Sequence, residues 1–171
     1  MNDLWYALHV KPRFEKYVTS QLSGKGYDTF LPSYTSKRKW SDRVKALELP
    51  LFPGYVFCRF DVKTRLPILV IPGVITVVGV GKSPTPVEDA EISAIQQVIK
   101  SGVPAQRWPY LNCGETVRVE AGPLEGLTGI VVRMKGSDLL VVSVSLLMRS
   151  VSVEIDKDSV KPIGPRPIPT A

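Results

Sequence analysis

The chain has 171 residues, of which 44% are apolar and 22% are charged, the balance of an ordinary globular protein. This balance excludes a disordered or collagen-like chain, and the length suits one large domain or two small ones. The longest apolar runs are a few residues long, far below the roughly 20 that cross a bilayer, so no membrane span is expected. The N-terminus lacks the pattern of an export signal, which predicts a cytoplasmic protein.

The net charge of +6 is concentrated near the N-terminus. Residues 1–45 contain nine Lys or Arg and four Asp or Glu, and the remainder of the chain is almost neutral. A polyanionic partner for the N-terminal part is one interpretation of this asymmetry. A solvated basic face without any partner is the other.

The composition gives little support for a metal site or a redox site. Cys58 and Cys113 are far apart and do not form a CxxC pair, so both are predicted to be reduced thiols. His9 is the single histidine, which excludes metal sites built from several histidines. We therefore predict no metal and no cofactor.

The chain also lacks a recognisable catalytic motif. Gly81-Lys82-Ser83 resembles part of a phosphate-binding loop, but Thr76 stands where that loop requires its first glycine. No spacing of residues brings a nucleophile and a base together. We predict no catalytic residues and no enzymatic activity; the enzymatic alternative is a carboxylate general base at Asp61 or Glu88.

The first hundred residues alternate between strand patterns and helix patterns. In chain order they predict a strand at Leu4–Val10, a helix opened by Pro12 with Phe14, Tyr17, Val18 and Leu22 at helical spacing, a strand at Tyr27–Leu31, a hairpin arm at Tyr34–Trp40 and Val44–Leu49, a strand at Gly54–Phe60, a short helix at Lys63–Val70, a strand at Val74–Gly79 and a helix at Glu88–Lys100. This order predicts an α/β sandwich with a mainly antiparallel sheet over residues 1–102.

The composition changes after Gly102, and helical periodicity ends. Short apolar runs separated by glycine predict strands at Thr116–Val119, Gly129–Met134, Leu139–Val144 and Ser150–Ile155. Strands this short and closely spaced predict a small all-β barrel over residues 113–163, so that the whole chain is α+β. Residues 103–112 are assigned to a linker that Trp108 and Tyr110 partly pin, and residues 164–171 to a disordered Pro-rich tail.

Two segments suggest contact with a partner. Phe52, Tyr55 and Phe57 surround a Pro-Gly turn at the start of a strand, where they form either an exposed binding face or part of the core. Leu146, Leu147, Met148 and Arg149 stand between two strands, where a hairpin tip is normally polar. These four side chains either dock a partner or fold back over the end of the barrel.

Taken together, several motifs resemble the NusG family of transcription elongation factors. The motifs, whose order and spacing cover Leu4 to Ile163, are Trp5-Tyr6-Ala7, Lys11-Pro12-Arg13 with Glu15-Lys16, Leu31-Pro32, Phe52-Pro53-Gly54-Tyr55-Val56-Phe57, Pro72-Gly73-Val74 and Gly122-Pro123-Leu124-Glu125-Gly126. The resemblance implies an N-terminal NGN domain and a C-terminal KOW domain, an SH3-like barrel. These domains fall where the strand and helix patterns already divide the chain.

The resemblance also implies partners and the residues that bind them. NGN domains bind the clamp helices of RNA polymerase through an apolar patch and suppress pausing; Phe52, Tyr55 and Phe57 match that patch, and His9 borders it. In specialised paralogs basic residues face the non-template DNA strand, and the candidates here are Lys11, Arg13, Lys16, Lys37, Arg38 and Lys39. Trp40 either stacks on a base or packs within the hairpin. The KOW loop binds ribosomal protein NusE or termination factor Rho, which assigns that role to Leu146, Leu147, Met148 and Arg149.

The hairpin arm and the Leu-Phe-Pro-Gly-Tyr segment resemble specialised, UpxY-like or RfaH-like antiterminators more than the general factor. Leu124 and Leu147 depart from the housekeeping pattern. We therefore expect a monomeric antitermination factor that binds polymerase and recruits a partner through its KOW domain. The alternative is a KOW-type RNA-binding or ribosome-binding module without polymerase contact.

Overall fold

The computed structural model describes residues 2–40 and 43–164, and it divides into two compact units, Met1–Asp89 and Ala90–Ala171. The side chains of Arg38 and Trp40 lie outside the description. The elements of the first unit are β1 (Leu4–Val10), α1 (Glu15–Gly24), β2 (Asp28–Phe30), β3 (Ser33–Trp40), β4 (Arg43–Pro50), β5 (Tyr55–Phe60), α2 (Leu66–Leu69), β6 (Val74–Val77), β7 (Gly79–Val80) and β8 (Ser83–Pro84).

Four strands form an antiparallel sheet in the order β2-β5-β1-β6. Successive residues of a strand point to opposite sides, so every second residue of β1 and β5 enters one core. This core contains Tyr6, Leu8, Val10, Val56, Cys58 and Phe60 from the sheet, with Val18, Leu22, Ile68 and Ile71 from α1 and the α2 region. The predicted α+β architecture with a mainly antiparallel sheet is confirmed.

Helix α1 buries a different face from the one that its aromatic residues suggest. Glu15, Val18 and Leu22 are buried and follow the i, i+3, i+7 spacing of one helical stripe. Phe14 and Tyr17 each lie one position earlier, which rotates them by about 100° from that stripe. Their side chains are therefore exposed to solvent, whereas Val18 and Leu22 are in the core.

The two strands of the hairpin arm, β3 and β4, form a separate two-stranded sheet. Their register pairs Ser33 with Pro50 and Trp40 with Arg43, in agreement with the predicted hairpin. β7 and β8 form a second short hairpin at Gly81-Lys82. Strand β8 follows this turn directly, whereas a phosphate-binding loop leads directly into a helix.

The second unit contains α3 and an all-β region. Its elements are α3 (Asp89–Ser101), β9 (Ala105–Trp108), β10 (Thr116–Val119), β11 (Thr128–Met134), β12 (Ser137–Val144), β13 (Arg149–Ile155) and β14 (Val160–Pro162). The six strands pair antiparallel in the order β14-β10-β11-β12-β13-β9. The four predicted strands are all present, and this region has the all-β form expected of a KOW barrel.

Strands β9 and β14 were not predicted from the sequence. β9 lies within residues 103–112, which were assigned to a linker, and its backbone pairs with β13 from Ala105↔Val153 to Trp108↔Ser150. Leu111 extends this attachment, because its N–H donates to Ser150 Oγ at 3.2 Å and its carbonyl accepts from Ser143 Oγ at 2.9 Å. The predicted domain boundaries stay a prediction, and the Pro-rich tail after Gly164 lies outside the described residues.

Candidate functional site

His9 and Tyr55 form a stacked pair on the sheet face opposite the core. They are directly opposed in the register of β1 and β5. Their ring centroids are 5.5 Å apart and the ring planes are inclined by 30°. Both side chains are partly exposed, so the pair presents a flat aromatic surface that carries a phenol and an imidazole.

Phe52 and Phe57 do not belong to this exposed surface. Each is 1% exposed, and their rings meet edge to face with centroids 5.6 Å apart. Phe30 packs against Phe57 from β2, with centroids 6.1 Å apart. The expectation of three exposed aromatic residues is therefore wrong for two of them, because Phe52 and Phe57 pack against each other and leave only Tyr55 at the surface.

A buried carboxylate holds the turn that leads into Tyr55. Glu15 is 7% exposed, and its Oε1 accepts a hydrogen bond from the Gly54 N–H at 3.0 Å. The Gly54 carbonyl accepts from the Val10 N–H at 2.8 Å, and the Tyr55 N–H donates to the Phe52 carbonyl at 3.1 Å. Gly54 has a φ of +84°, a conformation that glycine adopts without strain. These bonds fix the backbone from which Tyr55 projects.

Sequence reasoning did not find the role of Glu15. The available signal was its spacing, because Glu15 stands three and seven residues before Val18 and Leu22, on the buried stripe of α1. A carboxylate on a core-facing stripe is rare unless it has a hydrogen-bond partner. Its acceptor position beside a glycine turn was not deducible from that spacing.

The predicted basic residues before and within α1 surround a strained turn. The Phe14 N–H donates to the Lys11 carbonyl at 3.0 Å, which closes a turn through Pro12 and Arg13. Arg13 has a φ of +71°, at a turn position where glycine or asparagine is favoured. This conformation costs an ordinary residue about 1–2 kcal/mol. The turn presents Lys11 and Arg13 to solvent, close in sequence to exposed Lys16 on α1.

Phe14 and Tyr17 are next to Arg13 and Lys16, respectively, in the sequence. They are 37% and 43% exposed, and their rings meet at 90° with centroids 6.0 Å apart. A side chain at Gly73 would overlap Phe14, so one part of the Phe14 ring rests against the Gly73 backbone. The Lys11 N–H donates to the Gly73 carbonyl at 2.8 Å and holds the two segments together.

The hairpin arm carries cations on both of its faces. In the antiparallel register Lys37 opposes Ala46 and Lys39 opposes Val44, which places these two lysines on one face. Position 38 opposes Lys45, and Lys45 therefore belongs to the other face. Lys37 and Lys39 are exposed, whereas the side chains of Arg38 and Trp40 lie outside the description.

The predicted partner loop of the barrel contains both buried and exposed residues. Leu147 is 5% exposed and Leu146 is partly buried, so Leu147 is not available for contact. Met148 is 61% exposed, with a φ of +49°, and Arg149 is also exposed. Arg149 Nη1 donates to the Met148 carbonyl at 3.1 Å. The loop therefore exposes chiefly Met148 and Arg149, since Leu147 packs into the unit instead.

Glu91 of α3 approaches the same loop. Its Oε2 accepts a hydrogen bond from the Ser145 N–H at 3.0 Å. Further along α3, Gln97 Nε2 donates to the Glu125 carbonyl at 2.7 Å. The helix and the barrel of the second unit are thus joined at two points, one of which adjoins the loop.

The described residues contain no cluster of three metal-ligating side chains and no helix long and apolar enough to span a membrane. Cys58 is buried, and burial, assisted by the negative charge of Asp28, raises the pKa of its thiol from 9.0 to about 12. Cys113 is exposed. Asp61 Oδ1 accepts from the Lys63 N–H at 3.0 Å, which caps a short helical turn and occupies one of its oxygens.

A unit with a mainly antiparallel sheet and a hairpin arm, followed by a unit with a six-stranded antiparallel sheet, fits an NGN–KOW type of architecture. A family model described as "Transcription termination factor nusG" matches residues 3–96. In two strains of Helicobacter pylori, Transcription termination/antitermination protein NusG is 32% identical, over 116 and 124 residues. The first alignment covers 66% of each chain, and the second covers 71% of this chain and 70% of the relative.

A relative in Borreliella burgdorferi, with the same printed name, is 23% identical over 95% of this chain and its own full length. The solved structure of Thermotoga maritima NusG has a TM-score of 0.56 at 20% identity and covers 96% of this chain and 99% of that one, which shows the same fold. The chain belongs to the NusG family. Members of this family are transcription factors and are generally not enzymes.

Proposed function

We propose that this protein is a transcription elongation and antitermination factor that binds the clamp helices of RNA polymerase through the surface around His9 and Tyr55. The observation that carries the proposal is the stacked pair itself. It is partly exposed, and its backbone is fixed by the hydrogen bonds of Gly54. Family membership supports polymerase as the partner, and the factor then acts in the cytoplasm.

The chemistry of the pair suits a protein partner. Tyrosine combines a rigid apolar ring with a hydroxyl group, so it contributes contact area at a low entropic cost and is enriched among residues that dominate binding. Phe52 and Phe57 contribute indirectly, because their mutual packing holds the start of β5, the strand that carries Tyr55. In this account Tyr55 and His9 make the contact, and the two phenylalanines position it.

The basic residues form the second part of the proposal. Lys11, Arg13, Lys16, Lys37 and Lys39 are exposed, and Arg38 belongs to the same hairpin arm. We assign them to the non-template DNA strand of the transcription bubble. If four of them contact phosphates, the logarithm of DNA affinity falls with the logarithm of salt concentration with a slope of roughly −3.

The third part concerns the barrel. Met148 and Arg149, with the partly buried Leu146, form its exposed loop and are assigned to a protein partner, ribosomal protein NusE or Rho. Leu124 and Leu147 are both buried, so their departures from the housekeeping pattern concern the packing of the second unit and not its exposed surface. We place the protein among the specialised antiterminators of the family, acting as a monomer.

Binding to an isolated clamp-helix fragment of the polymerase tests the first part. Wild type should bind, and Tyr55→Ala should bind at least about tenfold more weakly, as for a residue that dominates an interface. Tyr17→Ala is the matched control, because it also removes an exposed tyrosine of the first unit and should leave clamp binding unchanged. Equal binding by wild type and Tyr55→Ala would contradict the proposed contact.

A further inference from the structure

We propose that Phe14 and Tyr17 form a stacking platform for an unpaired base of single-stranded nucleic acid, with Lys11, Arg13 and Lys16 holding the adjoining phosphates. The inference deepens the proposed DNA contact and rests on it. The proposed contact requires only charge, whereas the platform requires that the bases themselves contribute to affinity.

The fold gives these two aromatic residues no place in the core. The buried stripe of α1 consists of Glu15, Val18 and Leu22, and Phe14 and Tyr17 lie outside it. Their rings meet at 90°, which forms a corner with one ring as its floor and the other as its wall. A planar base can stack on one ring while its edge meets the other, an arrangement that aromatic pairs favour.

The Phe14 ring, which forms the floor of this corner, is supported by backbone. Phe14 rests on the Gly73 backbone, where a side chain would overlap its ring. The Gly73 carbonyl accepts the Lys11 N–H at 2.8 Å, so the same backbone positions the basic turn. A fixed ring loses little conformational entropy when a base stacks on it.

The positive charges that neighbour the two aromatic residues in sequence favour an anionic ligand. Lys11, Arg13 and Lys16 are exposed, and within residues 2–40 and 43–164 none of them forms an ion pair. The carboxylate between them in sequence, Glu15, is buried against the Gly54 N–H and does not neutralise them at the surface. Arg13 keeps a left-handed conformation that glycine or asparagine would adopt with less strain, which indicates a role for its side chain.

Aromatic rings beside unpaired cations match single-stranded nucleic acid better than other polyanions. Every nucleotide of an unpaired strand has both a phosphate group and an accessible base face. Stacking of a base on an aromatic side chain strengthens binding, largely independently of the base sequence. A duplex hides its base faces, and a peptide of acidic residues alone has no ring to stack. The platform therefore predicts preference for single strands that retain their bases.

The test compares two DNA strands of about 12 nucleotides, one of thymidines and one abasic throughout, by fluorescence anisotropy with the full chain. Wild type should prefer the thymidine strand by at least about tenfold. The double variant Phe14→Leu, Tyr17→Leu keeps apolar side chains and all charges, so it should lose this preference and retain the salt dependence of binding. The triple variant Lys11→Gln, Arg13→Asn, Lys16→Gln should weaken binding to both strands.

Equal affinity of wild type for the two strands would overturn the platform while leaving the charge-based DNA contact in place. Undiminished preference in the double leucine variant would also overturn it, and so would binding of polyglutamate as tight as that of the thymidine strand. Tyr17→Leu alone, the milder change, should lose part of the preference if the double variant does not fold. Clamp-fragment binding by the same variants separates a failure of the platform from a failure of the proposed polymerase contact.

Discussion

The Glu15 carboxylate accepts a hydrogen bond from the Gly54 N–H at 3.0 Å, across 39 positions of the chain. One end of this bond lies in the first turn of α1, beside the basic and aromatic residues of the proposed DNA surface. The other end lies in the turn that precedes Tyr55. This buried contact therefore links the segments that carry the two proposed surfaces of the first unit.

Replacing Glu15 should disturb the surface formed by His9 and Tyr55, although Glu15 is not part of that surface. Glu15→Ala leaves the Gly54 N–H without its acceptor, which should cost about 2 kcal/mol of unfolding free energy. It should also weaken clamp-fragment binding, because the turn before Tyr55 loses its anchor. Glu15→Gln keeps an acceptor oxygen and should recover most of both losses. Chemical denaturation and clamp binding measured on both variants check this, and equal behaviour of the two would contradict it.

Tyr55 and Phe57 should respond differently to truncation. Phe57 is 1% exposed, so Phe57→Ala should lower the unfolding free energy by about 3–5 kcal/mol. Tyr55 is partly exposed and its backbone bonds do not depend on its ring, so Tyr55→Ala should cost about 1 kcal/mol or less. Urea denaturation distinguishes the two. A large loss in Tyr55→Ala would show that its ring belongs to the core instead of a binding surface.

Arg13 offers a test in which stability and binding move in opposite directions. Asparagine tolerates a positive φ better than arginine, so Arg13→Asn should leave stability unchanged or raise it by up to about 1 kcal/mol. The same change removes a cation and should lower the affinity for single-stranded DNA, with a smaller salt dependence. Thermal denaturation and DNA titrations provide the comparison. Loss of stability would contradict the assigned strain.

Substitutions at Leu147 and Met148 should distinguish a residue that packs in the core from a residue that is available to bind a partner. Leu147→Ala should destabilise the protein by about 2–5 kcal/mol, because its side chain is buried. Met148→Ala should change stability by less than about 0.5 kcal/mol, because its side chain is largely exposed. Denaturation of both variants checks the difference. Binding of NusE or Rho, if it uses this loop, should be lost in Met148→Ala while the fold persists.

The two cysteines should differ in reactivity. Cys58 is buried with a thiol pKa raised to about 12, whereas Cys113 is exposed, so a thiol reagent at neutral pH should modify one cysteine in the folded protein and both after denaturation. The unfolded state releases the Cys58 proton near pH 9, and the folded state retains it until about pH 12. Cys58 therefore contributes a loss of stability as the pH rises through this window. Rapid labelling of two thiols in the folded protein would contradict this.

Most of the strands were predictable because alternation and glycine spacing are local properties of the sequence. In β5 this alternation places Val56, Cys58 and Phe60 on one face, and all three enter the core. Which aromatic residues reach the surface was not predictable in this way. Phe52 and Phe57 are buried by packing against each other and Phe30, a contact between separate segments that no local spacing encodes.

The candidate sites, too, were predictable only where a local property of the sequence indicates them. Counting charge along the chain showed that the N-terminal part is basic, and the family resemblance singled out the candidate residues. Of these, Lys11, Arg13 and Lys16 are exposed, as the proposal requires. Phe14 and Tyr17 were missed as surface residues, because helical spacing alone does not decide which stripe faces the core. Glu15 shares the buried stripe with Val18 and Leu22, and its hydrogen-bond partner Gly54 is too distant in sequence for a local pattern to indicate it.

Transcription by purified RNA polymerase, measured as the lifetime of a defined pause with and without the protein, tests the central claim most directly. We expect wild type and Val80→Ala, a change at an exposed residue outside every proposed surface, to shorten the pause, since both retain the Tyr55 and His9 surface. Tyr55→Ala should not shorten it. Unchanged pausing with wild type, or equal shortening by Tyr55→Ala, would contradict the account. Ribosome co-sedimentation that persists in Tyr55→Ala would then favour a ribosome-binding module.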